Sequence, residues 1–399
     1  MADNYAQILS GALTQPKPFQ VSIDDERVDE LKLLVKLGKI APPTYESTQK
    51  EQNFGITHQW LTDAKSAWMK FDWRAAEKHI NSYNHWIVPI HDEKGDFDMH
   101  FTGLFSKKPD AVPLVMVHGW PGSFLEFLKI LSILKNRYTP ERLPYHVIIP
   151  SLPGFTFSSK PPMERDFSMQ DSTRIINTLM VQLGFGSGYV AQGGDFGSLV
   201  SRELATNYEE CKAVHINLCM IPEPADVTGE ITEAEKKALA RGEEFVTRGS
   251  AYAMTHATKP STIGLALSSS PLALLAWIGE KFRDWTDEEP PIDEILTSIS
   301  LYWLTDTFPT SIYGYRHLSL FSDASYKPDP KITKPLGYSW FPQEVGPKPV
   351  AWAATLGNLV YYKRHERGGH FAALERPEDL LEAVEEFVKQ ISADGSLKI

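Results

Sequence analysis

From about residue 110 the chain alternates apolar, strand-like runs with helical stretches: V-P-L-V-M-V-H-G-W, then F-L-E-F-L-K-I-L-S-I-L, then Y-H-V-I-I-P-S-L-P-G. Such alternation points to a mostly parallel sheet with helices on both faces, because each parallel crossover needs a helix to return the chain. The pattern repeats in I-I-N-T-L-M-V-Q-L-G and S-G-Y-V-A-Q-G-G-D and runs on into A-V-H-I-N-L-C. It then fails from roughly 222 to 330, where helical patterns such as I-T-E-A-E-K-K-A-L-A-R and P-L-A-L-L-A-W-I-G-E-K-F take over. Strand-like segments return in P-L-G-Y-S-W-F and P-V-A-W-A-A-T-L-G, followed by an amphipathic helix, P-E-D-L-L-E-A-V-E-E-F-V-K-Q-I.

An α/β core interrupted by a helical insertion accounts for this order. Ligands of open α/β sheets bind outside the carboxyl ends of the strands, so a late insertion reads as a lid over that edge. The first hundred or so residues lack the alternation. They carry Pro42 and Pro43, tryptophans at 60, 68, 73 and 86, and one amphipathic helix, D-E-R-V-D-E-L-K-L-L-V-K-L-G, with Val28, Leu31, Leu34 and Val35 on one stripe and Gly38 as its stop. The expected organisation is a wrapping extension over 1–105, a first core segment over 106–221, a helical lid over 222–330 and a second core segment over 331–399.

Composition narrows the function. The 399 residues carry a net charge of −11 from 40 basic and 51 acidic side chains, with no basic patch to neutralise phosphates, so nucleic acid is not an expected partner. Cys211 and Cys219 read as packing residues rather than a disulfide framework or a zinc site. The amino terminus lacks the features of a signal peptide, and no apolar window of about eighteen residues occurs, so a soluble, cytoplasmic protein without a membrane anchor is expected.

The chemistry centres on A-Q-G-G-D-F-G-S at 191–198. A strand-to-helix turn of pattern Gly-x-nucleophile-x-Gly holds its central residue in a strained backbone between close neighbours. Here the centre is Asp195, flanked by Gly193 and Gly197. A carboxylate is a poor acyl nucleophile, since the product would be an anhydride, but it displaces a leaving group at an alkyl carbon. The alkyl ester so formed must then be hydrolysed. That scheme requires a histidine with an acidic partner, an oxyanion hole, and an acid for the leaving group.

His365 and His370 stand before the terminal helix. His370 is the better base, because Gly368 and Gly369 free the loop before it; His365 reads as a solvated loop residue. For the acidic partner, Glu344 follows a strand-like run and should emerge at the carboxyl edge, with Asp323, Asp329 and Glu366 as rivals. H-G-W-P-G-S at 118–123 follows a strand and nominates the main-chain N–H of Trp120, with that of Phe196 after the nucleophile, for the oxyanion hole. His118 reads as an anchor of that loop, and Tyr302 as core.

H-G-W-P-G-S, G-G-D-F-G, F-P-Q-E and G-G-H-F-A-A-L-E, in this order and at these separations, resemble the microsomal-type epoxide hydrolases, and most closely their soluble fungal members. The similarity covers nearly the whole chain, including L-G-K-I-A-P-P-T-Y-E-S and F-D-W-R near the start. It implies an α/β-hydrolase fold in which Asp195 is the nucleophile, His370 the base and Glu344 its partner. It also implies two lid tyrosines as acids toward the epoxide oxygen: S-A-Y-A-M-T-H matches the first at Tyr252 and S-I-Y-G-Y-R-H the second at Tyr315, with Tyr313 as a close rival read as packing. Trp120 and Phe196 would line the substrate site.

The implied reaction converts a small apolar epoxide and water to a vicinal diol without metal or organic cofactor, and the resemblance allows a homodimer. Two departures stand out. The amino-terminal anchor of the microsomal enzymes is not seen, and Phe196 occupies a position where tryptophan is common, which bears on substrate preference. A haloalkane dehalogenase would want an indole N–H directly after the nucleophile, which Phe196 lacks. A non-catalytic binding protein would have no use for nucleophile, base and oxyanion loop together.

Overall fold

The computed structural model describes residues 5–52, 54–225, 227, 230–317 and 330–399. Its sheet has nine strands in the order β1-β2-β3-β5-β4-β6-β7-β8-β9. The strands are β1 (Lys17–Phe19), β2 (His85–Asp92), β3 (Gly95–Leu104), β4 (Val112–Val117), β5 (Tyr145–Pro150), β6 (Tyr189–Gly193), β7 (Cys211–Ile216), β8 (Ile332–Trp340) and β9 (Gly357–Arg364). From β5 to β9 every pairing is parallel. The central strands read as unbroken apolar runs because helices cover both faces: Leu114 to Val117 and Val147 to Ile149 are fully buried. This is the α/β-hydrolase fold.

Three strands come from the region before residue 105, where the sequence shows no alternation. β2 and β3 form a hairpin through Glu93 and Lys94, and β3 adds antiparallel to β5. Asp interruptions and Pro89 within the run hide the period of two. The helix Asp25–Leu37 forms as its stripe predicts, burying Val28, Leu31 and Val35. It packs on the helices Pro271–Asp284 and Ile292–Leu304 of the interval between β7 and β8. Gly38 is needed for closeness rather than for a left-handed turn: its φ is −56°, and a Cβ there would strike Leu272. Polar ties reinforce the contact, with Trp68 Nε1 donating to Ser300 Oγ at 3.0 Å and Trp60 Nε1 to Glu289 at 2.7 Å.

The interval between β7 and β8 carries further helices at Glu233–Glu244, Ala251–Thr258, Pro260–Leu267 and Phe308–Ser311, and a 3₁₀ turn at Tyr313–His317. Among the described residues no single helix is long and apolar enough to cross a membrane; Pro260–Leu267 and Pro271–Asp284 reach that composition only as a pair, bent by 116°. One expected strand is corrected. P-V-A-W-A-A-T-L-G is a short helix at Val350–Ala353 followed by a 3₁₀ turn, and the strand is the next run, Gly357–Arg364. Pro349 supplies a helix entry and alanine favours the helix, while L-V-Y-Y concentrates the β-branched and aromatic residues that favour a strand.

Candidate active site

Asp195 stands at the end of β6, on the first turn of the helix Asp195–Asn207, with φ +48°. Only a crowded setting holds a non-glycine residue there, and the glycines create it. A Cβ on Gly193 would collide with the Gly197 carbonyl, and one on Gly197 with the Val117 carbonyl of β4. The helix therefore rides directly on two strands. Asp195 Oδ1 accepts the Trp120 N–H at 2.8 Å, so the loop after β4 grips the carboxylate.

His370 lies in the loop leading to the final helix, with its main-chain N–H donating to the Trp285 carbonyl at 2.8 Å. Its Nε2 is 3.3 Å from Asp195 Oδ2, and its Nδ1 donates to Glu344 Oε1 at 2.6 Å. Glu344, beyond β8, is 1% exposed and also accepts the Val345 N–H at 2.6 Å. Burial by itself lowers the His370 imidazole, but the carboxylates of Glu344 and Asp195 outweigh it and hold it well above its ordinary value. Of the rivals to Glu344, Glu366 is exposed, and Asp323 and Asp329 lie outside the described residues.

His118 anchors the loop after β4 as expected. Its Nε2 accepts the Leu152 N–H at 3.0 Å, its Nδ1 donates to the Gly119 carbonyl, and burial pushes it down to about 4. Tyr302 is buried and donates to the Gly122 carbonyl of the same loop at 2.9 Å. His365 departs from its expectation as a solvated residue. It is 6% exposed, lies flat on Phe341 with ring centroids 4.2 Å apart, and is held down to about 4 by burial. The charged residues around it mask a ring that closes the end of β8.

Tyr252 and Tyr315 meet over the loop and elbow. Their rings cross at 83° with centroids 5.7 Å apart, close enough for each phenol to feel the other. The Trp120 ring stacks on Tyr252 at 5.3 Å and meets Tyr315 edge-on at 5.7 Å, while Phe196 packs on Tyr315 at 4.9 Å. Trp120 thus holds Asp195 through its backbone and both phenols through its ring. Burial pushes both phenols up, with the Asp195 charge adding to it, so they stay protonated. Tyr313 faces away, its hydroxyl 2.6 Å from Ser172 Oγ and its ring edge-on to Phe167.

Several contributors were not singled out in the sequence. Trp285 contacts Tyr252 at 5.2 Å and His370 at 4.9 Å, joining the helices between β7 and β8 to the loop of His370. Trp277, Lys281 and Trp285 recur at intervals of four, and the Lys281 ammonium lies 4.5 Å over the Tyr252 ring. That spacing in A-W-I-G-E-K-F-R-D-W was the available signal. His256 packs edge-on against Trp120 and Tyr315 and accepts the Trp277 indole N–H at 3.0 Å. Among the described residues no group of three or more His, Cys, Asp or Glu could hold a metal ion.

Comparison with known proteins places the chain in a family. The family model described as epoxide hydrolase N terminus matches residues 16–127, and that of the alpha/beta hydrolase fold matches residues 112–308. Epoxide hydrolase 1 of Sus scrofa is 33% identical over 411 residues, spanning 93% of this chain and 88% of that protein. The structure of Aspergillus niger epoxide hydrolase superposes with a TM-score of 0.92 at 49% identity, covering 97% of this chain and 99% of its own. The juvenile hormone epoxide hydrolase from the silkworm Bombyx mori does so at 0.83 with 27% identity, covering 94% and 96%.

Proposed function

The chain belongs to the epoxide hydrolase family, and on that premise we propose that Asp195 opens the epoxide as a nucleophile and that the resulting ester is hydrolysed with His370 as base. The observation that carries this reading is the contact set of one carboxylate. Asp195 has one oxygen on the Trp120 N–H at 2.8 Å and the other 3.3 Å from a histidine that is itself bound to Glu344.

In the first step an Asp195 oxygen attacks an epoxide carbon. The carbon–oxygen bond breaks, and the alkoxide takes a proton from the pair Tyr252 and Tyr315. In the second, water gives a proton to His370 and adds to the carboxyl carbon of the ester. The oxyanion is held by the N–H groups of Trp120 and Phe196, and collapse releases the diol. Glu344 orients the imidazole and stabilises its cation. The aromatic rings around the phenols support an apolar substrate, and the described helices between β7 and β8 supply the lid. The net charge of −11 supports a soluble, cytoplasmic enzyme.

The test is a single turnover of styrene oxide in heavy-oxygen water. The diol formed first should carry an aspartate oxygen, and a still-folded Asp195→Ala variant should release none. Solvent label in the first diol would overturn the covalent scheme.

A further inference from the structure

Beside the elbow lies a small cavity of about 20 Å³, lined by His118, Gly119, Trp120, Glu126, Asp195 and His370 among others. Neither Tyr252 nor Tyr315 lines it. It therefore opens onto Asp195 from the side of the base rather than from the side of the phenols. A space of this size takes one water molecule, provided the water finds two to four polar partners. The lining offers the His370 imidazole, the Asp195 carboxyl group and the Glu126 carboxyl group.

Glu126 has no part in the chemistry derived so far. It belongs to the 3₁₀ turn Phe124–Phe127, where Ser123 begins a capping box: Glu126 Oε1 accepts the Ser123 N–H at 3.1 Å, and Ser123 Oγ accepts the Leu125 N–H at 3.2 Å. This fixes the carboxyl across the oxyanion loop. Gly122 permits the placement, because a Cβ there would occupy the position of Glu126 Oε1. By accessible area Glu126 is half-buried, yet burial pushes its carboxyl up to about 8. Its side chain is among those that line the cavity. At neutral pH it is a neutral acid that both accepts and donates.

We propose that this cavity seats the hydrolytic water and that Glu126 is the positioning residue that holds it against the Asp195 ester. This rests on the reading of Asp195 and His370 given above. One water hydrogen points to His370 Nε2 and the other to a Glu126 oxygen, which leaves a lone pair aimed at the ester carbon. The water oxygen bonds to that carbon as its proton passes to His370, and the former carbonyl electrons settle on the oxygen held by Trp120. Collapse breaks the bond from the carbon to the alkyl oxygen, which takes the proton back from His370. The remaining water proton leaves the regenerated carboxylic acid for His370, restoring the cation whose proton had replaced the one the phenols gave up in ring opening.

The experiment separates the two steps in Glu126→Leu and Glu126→Gln by rapid mixing with styrene oxide, acid quenching and intact-protein mass. His370→Ala serves as the control that traps the ester. The leucine variant should form the alkyl-enzyme at a rate within about threefold of the unaltered protein and hydrolyse it about 10²-fold more slowly, the scale expected when a reactant loses its placement. Alkyl-enzyme then accumulates, kcat and KM fall together, and kcat/KM holds. Glutamine, which keeps a donor and an acceptor, should restore hydrolysis to within about tenfold.

Equal slowing of both steps, or hydrolysis in the leucine variant at the unaltered rate, would overturn the proposal. If the leucine variant does not fold, Gly122→Ala displaces the same carboxyl and carries the same two outcomes. A substrate mass on His370→Ala but not on Glu126→Leu defeats the water site alone. Its absence from both defeats the covalent reading beneath it.

Discussion

Replacing Tyr252 and Tyr315 by phenylalanine, singly and together, tests the lid chemistry because the change removes only oxygen. The rings keep their contacts with Trp120 at 5.3 and 5.7 Å and with each other at 5.7 Å, so folding should be little affected. A hydrogen bond to a charged group is worth about 1.5–3 kcal/mol, so losing one donor to the developing alkoxide should slow alkylation about 10- to 10²-fold. A single variant retains the second phenol, whose ring lies 5.7 Å from the first. The double variant loses both bonds and the proton source. Two bonds together amount to about 3–6 kcal/mol, and general acid catalysis adds about 10²-fold or more, so alkylation should fall by at least about 10⁴-fold.

Single-turnover mass measurement reads this directly. Because the phenols act before the ester exists, no alkyl-enzyme should build up in any of the three variants. Non-additivity between the singles is expected, since the two rings touch and both hydroxyls are assigned to one epoxide oxygen. Tyr313→Phe is the internal control. Its hydroxyl meets Ser172 at 2.6 Å, so it should cost about 1 kcal/mol of stability and leave alkylation within about twofold. Alkylation within tenfold of normal in the double variant, or a Tyr313 effect as large as that of Tyr315, would refute the assignment.

Glu344→Gln removes the charge that most opposes the effect of burial on His370, so the imidazole should drop and ester hydrolysis should slow about 10²- to 10⁴-fold; alkyl-enzyme that fails to accumulate in this variant would count against the assigned partner. Acid should unfold the protein through its histidines. Burial holds His85, His118, His146 and His365 at about 4, His215 and His256 at about 3, and His100 well below its usual value. Unfolded imidazoles titrate near 6.5. Above that value both states are neutral; below it the unfolded chain takes up protons that the folded chain refuses, so stability falls until the folded groups titrate. His118 alone accounts for roughly 3 kcal/mol across that window. Glu126, at about 8, Glu375, at about 7, and Glu385, also raised by burial, work the other way, but three carboxyls face seven imidazoles. The urea midpoint should therefore fall steadily from 6.5 toward 4, and a flat profile there would refute the accounting.

The parts of the site that the sequence makes legible share one cause. G-G-D-F-G, H-G-W-P-G and the loop of His370 are short segments fixed to strand ends, where close approach forces glycine and chemistry forces the residue beside it. Glu344 needed the resemblance, because several acidic residues share its stretch of chain and only packing tells a 1% exposed carboxylate from a solvated one. Glu126 in F-L-E-F-L reads as an ordinary polar position of a helix start, and nothing local reveals that its carboxyl crosses the loop beside Gly122. The β2–β3 hairpin was hidden by Pro89 and by aspartates within an otherwise apolar stretch. In A-W-A-A-T-L the alanines, tryptophan and leucine suit helix or buried strand, and the choice fell to the flanking Pro349 and Gly357.

The charges around Asp195 explain how one histidine can serve a two-step reaction. Before substrate reacts, His370 faces two carboxylates, Glu344 at 2.6 Å and Asp195 at 3.3 Å, and is held as a cation that steadies the nucleophile's charge. A protonated imidazole cannot act as a base. Esterification of Asp195 removes one of the two charges, while burial, which lowers the imidazole, stays in place. The first chemical step therefore discharges the base needed for the second, and the proton released equals the one the alkoxide consumed. Glu344 alone remains beside His370, which is enough to orient the ring and to stabilise the cation that reappears as water attacks. A serine in the elbow would begin neutral and could not change its neighbour's charge in this way, so aspartate at position 195 supplies the alkyl-directed nucleophile and the timing of its own release.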